Sequence, residues 1–318
     1  MYLIKEKPED FLVEEIPKFE IKDKGDYSYF LLEKRLWETK KVVREICKKL
    51  RIKEKRINIS GIKDRNAVTK QYFSVYKIDK TKVESLNFKD LKIKFIGYGD
   101  ERLRLGGIKE NRFKIVVRNL DKKIKIPSYL RVENYFDDQR FREKNKILGK
   151  LLLKRDFKQF FLISNLDIDN DYVSNLRKIG KWKLQFYINS YQSWLFNEYL
   201  SEFIKKDYFS VDYKEGTFLF SNKKLKNFKI PIVSFDTKLG GIYKNILKKE
   251  GINLNDFLIR ELPELINEGV TRDAFVDVEI KNKYSKDELH EGKYKCLLEF
   301  GLKAGSYATI VVRKIFKV

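Results

Sequence analysis

The hydrophobic period changes twice along this chain, and that limits its fold more than any single motif does. Near the N-terminus "FLVEEI" (11–16) and "YSYFLLEK" (27–34) read as strands around the turn-forming "DKGD". From Thr39 to Leu50, apolar Val43, Ile46, Cys47 and Leu50 recur at helical spacing, with Thr39 placed to cap the helix. "RINIS" (56–60) then reads as a short strand ended by Gly61, residues 62–70 as a loop, and "QYFSVY" (71–76) as another strand. In "NRFKIVVRNL" (111–120), Phe113, Ile115 and Val117 alternate with Lys114 and Arg118, the pattern of a half-buried strand. After about residue 142 the period becomes helical, and Ile188, Tyr191, Leu195, Tyr199 and Phe203 trace one stripe. Strand character returns in the last 45 residues: "AFVDVEI" (274–280), "KCLLEFGL" (295–302) and "YATIVVRKIF" (307–316). Strands at both ends with helices between them suggest an α+β fold in which one domain interrupts another. The 318 residues are enough for two domains of about 100–200 residues each.

Charge narrows the partners. Lys plus Arg number 69 and Asp plus Glu 46, a formal net charge of +23. Such an excess points to a polyanion, because each phosphate neutralised releases condensed counterions. A lysine-rich composition can also arise without any such partner. The two cysteines, Cys47 and Cys296, lie too far apart in sequence to suggest a disulfide framework, and Cys47 falls on the apolar face of its helix. "MYLIKEKPED" is charged where a signal peptide needs an apolar run, and no apolar segment nears the roughly 20 residues that span a bilayer. A soluble, cytoplasmic protein with no membrane partner is expected.

Several chemistries can be set aside. With His290 as the single histidine, neither a zinc-peptidase helix nor any multi-histidine metal site can be built, and no metal site is expected. No Gly-x-Ser-x-Gly elbow accompanies His290. "DIDNDY" (167–172) begins like a calcium loop but has Tyr172 and Lys178 where Gly and Glu are required. No phosphate-binding glycine loop appears, and "LGG" at 105–107 reads as a turn. An enzyme of carboxylates, amides, cations and aromatics remains, or a binder without chemistry.

"GIKDRNAVTKQ" (61–71) places Asp64 between Lys63 and Arg65, on a loop that leaves a sheet, where a rigid scaffold can present a functional group. Together with "KEKPEDFLVEE" (5–15), "KENRFKIVVR" (109–118), "VENYFDDQRF" (132–141), "YQSWLFN" (191–197) and "GSYATIVVR" (305–313), this segment resembles, in order, the TruD family of RNA pseudouridine synthases. Asp137 and Arg142 stand where that family usually has glycines, and Lys303 where it has proline.

The resemblance implies a pseudouridine-synthase catalytic domain, a mixed, mainly antiparallel sheet flanked by helices, with an inserted TRUD domain. The catalytic domain would comprise 1–142 and 268–318, and the insert 143–267. It implies isomerisation of uridine 13 of tRNA to pseudouridine, with activity on other RNAs among eukaryotic relatives, in a monomer and without a cofactor. The residue matching the family's essential aspartate is Asp64, and Lys5 matches the cation that partners it. That pairing would offset the push of phosphates and burial against ionisation. Phe113 matches an aromatic that holds the uracil, Asn111 would read its imide edge, Phe11 would pack beside the site and Arg140 would contact RNA. Thr69 and Gln71 would shape the Asp64 loop, while Lys63 and Arg65 would face phosphates. The alternative is a catalytically silent RNA-binding protein on the same scaffold.

Overall fold

The structure, a computed structural model, describes residues 2–104, 106–169 and 171–317. The chain divides into two units: one runs through Leu130 and includes Val278–Ser306, and the other comprises Arg131–Asp277 and the chain from Tyr307 onward. The first unit carries β1 (Phe11–Pro17), β2 (Tyr27–Arg35), α1 (Thr39–Leu50), β3 (Ile57–Ile59), β4 (Val68–Tyr76), α2 (Lys80–Glu84), β5 (Leu91–Gly99) and β6 (Ile108–Leu120). The unit boundary falls within β7 (Tyr129–Glu133) and again within β12 (Phe275–Glu279). Between them come α3 (Asn145–Leu153), α4 (Phe157–Ser164), α5 (Tyr172–Ile179), α6 (Lys181–Ile204), β8 (Tyr208–Tyr213), β9 (Gly216–Ser221), β10 (Lys229–Ile232), α7 (Gly241–Glu250) and β11 (Val270–Asp273). β13 (Lys281–Lys286), β14 (Tyr294–Leu302) and α8 (Ala308–Phe316) complete the chain.

The first unit is built on one eight-stranded sheet in the order β13-β14-β6-β1-β4-β2-β5, with β3 paired to β4. Only β1 and β4 run parallel; the other pairs in it are antiparallel. This is the mixed, mainly antiparallel sheet expected, and two of its strands come from beyond residue 278. α1 covers one end of one face, where Val42, Ile46 and Cys47 pack on Phe30, Leu32, Phe73 and Val75. Side chains of one face alternate along each strand, so the same face continues past Leu32 to Lys34 and past Phe73 to Gln71 and Thr69.

Three expectations need correction. The segment 307–316, expected as a strand, forms the helix α8 from Ala308 onward. The β-branched run of that segment favours strands only weakly, and burial of Ala308, Val311 and Val312 on one helical face overrides it. β4 begins at Val68, so the loop before it ends earlier than Lys70. Thr39 is the first residue of α1 but does not cap it; the N-cap position belongs to Glu38, and the Thr39 hydroxyl bonds elsewhere. At the positions where the family usually has glycines, Asp137 is extended at φ −94° and Arg142 is not left-handed; positive φ falls on Glu143 and Lys144 just after it. Gly107 closes a turn onto the Arg104 carbonyl at 2.9 Å, while Leu105 of the same motif lies outside the described residues.

The second unit is centred on α6, which is buried on several sides: Leu184, Ile188, Tyr191, Leu195, Phe196 and Leu200 are all inaccessible, whereas Phe203 of the expected stripe is 42% exposed. The boundaries also differ from those expected at 142 and 268. α8 belongs to this unit, where Lys314 pairs with buried Glu133 at 2.8 Å and Arg313 with Asp138 at 2.9 Å. Among the described residues no helix is long and apolar enough to cross a membrane.

Close approach of α3 and α6 requires a residue without Cβ at position 149, since a methyl there would sit 2.1 Å from the Tyr187 carbonyl oxygen. Gly149→Ala should therefore lower stability by about 1–3 kcal/mol. Denaturant unfolding checks this, and an unchanged midpoint would mean that the helices separate freely.

Candidate active site

One row of cross-strand partners crosses five strands of the sheet: Lys34 on β2, Thr69 on β4, Val13 on β1, Phe113 on β6 and Phe300 on β14. Paired residues in a ladder share a face, so this row puts a lysine at one side and two phenylalanines at the other. The neighbouring row includes Gln71 beside Leu32, and Glu15, Asn111 and Leu302 as successive partners. Alternation puts Lys34 and Glu15 in the buried phase of their strands, yet their charge reads as solvent-facing. Both side chains are instead fully buried, and neither was singled out from the sequence.

Each buried charge organises the loop that carries Asp64. Glu15 accepts from the Ser60 hydroxyl at 2.5 Å and the Tyr72 amide at 2.9 Å, and pairs with Lys63 at 2.5 Å. Lys63, expected to face phosphates, is instead held inward by Glu15, whereas Arg65 is exposed. The absence of a Cβ at Gly61 leaves room for this pair, as an added carbon would lie 2.8 Å from the Glu15 carboxylate. Gln71 donates to the Gly61 carbonyl at 3.4 Å and accepts from Thr39 at 3.2 Å, and the Thr39 hydroxyl accepts from the Lys63 amide at 3.2 Å. Thr69 is buried, and its hydroxyl lacks a partner among the described residues. Lys34 donates to the carbonyls of Trp37 at 2.7 Å and of Asp64 itself at 2.8 Å.

The Asp64 carboxylate accepts from Lys5, and the two form an ion pair. The same ammonium lies 4.0 Å from the centre of the Phe11 ring. Phe11 meets Phe113 edge-on at 6.1 Å, and Phe300 stacks on Phe113 at 5.6 Å. Lys5 therefore contacts both an anion and an aromatic face, each of which attracts a cation. Asn111 lies two residues before Phe113, and its buried Oδ1 has no hydrogen-bond partner among the described residues. The fold thus brings Asp64, Lys5, Phe11 and Phe113 together, with Asn111 beside them. Arg140 belongs to the second unit.

Lys5 is held from both sides. Its own backbone is left-handed at φ 60°, a conformation that disfavours a side chain. Before it, Leu3 exchanges backbone hydrogen bonds with Arg118 on β6, at 3.1 and 2.8 Å. After it, the turn Pro8–Asp10 delivers Asp10 to the Arg118 guanidinium through two bonds of 2.9 and 2.8 Å. Arg118 also donates to Asp287 at 2.8 Å, and these three side chains are almost fully buried. The anions beside Arg118 raise its pKa, and the amide and guanidinium donors around Asp287 lower that of its carboxyl against the opposing effect of burial.

Burial pushes the Lys34 ammonium down to about 8 from its ordinary 10.5, partly opposed by Asp64. The unfolded chain then keeps this proton to higher pH than the folded one, so the penalty is full below about pH 8 and fades toward 10.5. Relative to Lys34→Met, the wild type should gain on the order of 2 kcal/mol in unfolding free energy between about pH 8 and about pH 10. A difference independent of pH would show that Lys34 is not held charged in the interior.

Comparison with known proteins adds to this geometry. The family model described as tRNA pseudouridine synthase D (TruD) matches residues 2–166 and 230–315. A probable tRNA pseudouridine synthase D 1 from Methanococcus maripaludis is 30% identical over 99% of each chain. A probable tRNA pseudouridine synthase D 2 from Methanocaldococcus jannaschii is 32% identical, covering 98% of this chain and 90% of its own. The crystal structure of a TruD protein from Methanosarcina mazei shares the fold, with a TM-score of 0.70 at 24% identity, over 99% of this chain and 93% of the other.

Proposed function

This chain belongs to the TruD family of tRNA pseudouridine synthases, isomerases that act on RNA, and from that premise we propose that it converts uridine 13 of tRNA to pseudouridine with Asp64 as the catalytic carboxylate. The observation that supports this most is the Lys5–Asp64 pair, beside the aromatic end of a sheet row. The reaction breaks the bond from N1 to C1′, turns the uracil, and joins C5 to C1′. The C5 hydrogen leaves as a proton and N1 gains one, so every other atom of the nucleotide is retained. A carboxylate serves this either by attacking C1′ or by taking the 2′ proton, and both routes need it ionised. An adjacent ammonium favours that form.

Phe113, backed by Phe300 and edged by Phe11, would offer the freed uracil an apolar ring surface. Stacking on such a ring is worth ~1–3 kcal/mol per base and leaves rotation in the plane free. Asn111 Oδ1, unpaired within the fold, would accept from the uracil imide N–H while the amide nitrogen donates to a carbonyl. Arg140 would contact the RNA away from the base. The target uridine must leave its stack, at a cost of a few kcal/mol, and the net charge of +23 would favour the bound RNA.

Asp64→Asn should bind tRNA within a few-fold of wild type yet release no tritium from C5-labelled uridine, and release at the wild-type rate would remove Asp64 from the mechanism. Phe113→Ala should slow the single-turnover step by roughly tenfold or more while changing tRNA affinity much less. Equal losses in rate and affinity would make Phe113 a binding residue only.

A further inference from the structure

The second unit contains two arginines that, among the described residues, have no carboxylate in contact. Arg140 ends the turn after β7, and Arg272 lies on β11. The Phe136 ring is shared between them, 5.8 Å from the Arg140 guanidinium and 4.1 Å from that of Arg272. Arg140 also faces Phe186 at 5.0 Å, and Arg272 faces Phe196 at 5.5 Å. Phe186 in turn stacks on Trp182, which is 55% exposed. Cations and rings thus alternate from the surface inward.

The geometry is held from below. Asn197 clamps the backbone of Phe136 on both sides, accepting from its amide at 2.9 Å and donating to its carbonyl at 2.8 Å. Arg140 donates only its Nε, to the Ser193 hydroxyl at 3.1 Å. Arg272 donates to the Asn134 carbonyl at 3.0 Å and side-chain oxygen at 2.7 Å. Nearby acids are engaged elsewhere: Asp137 and Asp138 pair with Arg313, and Glu133 pairs with Lys314. Among the described residues no carboxylate lies within ion-pair distance of Arg140 or Arg272, and both Nη atoms of Arg140 lack an acceptor. Burial lowers the pKa of both, that of Arg272 to about 10; Tyr307 partly opposes this at each, and at Arg272 the Arg140 charge adds to the lowering while Asp273 opposes it. Two like charges, stripped of part of their water and with no carboxylate in contact, are a cost that a bound anion would reduce. A guanidinium fork suits a phosphate because its donors match two phosphate oxygens at once.

We propose that Arg140 and Arg272, on the shared ring of Phe136, form a phosphate-binding fork that holds one backbone phosphate of the RNA substrate. In taking RNA as the source of that phosphate, this rests on the function proposed above; the fork itself does not. The test measures tRNA affinity across a salt series for wild type, Arg140→Gln, Arg272→Gln and Arg272→Lys. Each glutamine variant should reduce the slope of log affinity against log salt by about one. Arg272→Lys should keep the slope and lose affinity, since the charge remains and the fork does not. A second arm measures thermal unfolding with inorganic phosphate at low ionic strength, where wild type should be stabilised and Arg140→Gln should not. Unchanged slopes with that stabilisation lost would assign the fork to a free phosphate and overturn the RNA contact. Unchanged slopes with equal phosphate response in every protein would overturn the fork, leaving the arginines as packing. If wild type bound no tRNA at all, the proposed function would fail while the phosphate arm still decided the fork.

Discussion

Arg118 is the fixed point on which the position of Lys5 depends. Its guanidinium holds Asp10 and Asp287 in the interior, and its backbone holds Leu3, so the chain on both sides of Lys5 is tied to the C-terminal end of β6. Breaking such a buried pair from one side strands a charge and costs about 3–5 kcal/mol, which makes this clamp hard to loosen by thermal motion. A left-handed backbone at a lysine is tolerated only when the surroundings impose it. Here they do, and the outcome is an ammonium directed at Asp64 and over the face of Phe11.

The Asp64 loop is fixed by a second set of buried charges. Glu15 gathers Ser60, Lys63 and the Tyr72 amide, while Lys34 reaches the Asp64 carbonyl from beneath. A sheet face that starts as an apolar seat for α1 therefore becomes polar toward Lys34, Gln71, Glu15 and Asn111. Those residues violate the rule that a packed face is apolar, and such local violations are expected where a fold is put to chemical use.

Much of the sheet was legible because alternation with a period of two survives in β1, β2 and β6, and α1 shows a clean helical period. α8 was not: its valines and isoleucines favour a strand locally, and only the packing of Ala308, Val311 and Val312 decides for a helix. Asp64, Lys5, Phe11, Asn111 and Phe113 were legible through the resemblance of ordered segments, not through composition. Lys34 and Glu15 could have been suspected from alternation, since each occupies the buried phase of its strand, yet a charge in that phase reads as solvent-facing until its partners are known. The inward turn of Lys63 depends on Glu15, 48 residues earlier, and the pairing of Arg140 with Arg272 around one ring depends on contacts that no local pattern carries.

The central claim is that the ammonium at position 5 maintains a carboxylate fit for the chemical step. The most direct measurement is the single-turnover rate of pseudouridine formation at saturating tRNA in Lys5→Met, alongside its tRNA affinity. The account predicts a rate lower by a factor on the order of 10² with affinity nearly unchanged. A rate close to that of wild type would contradict it.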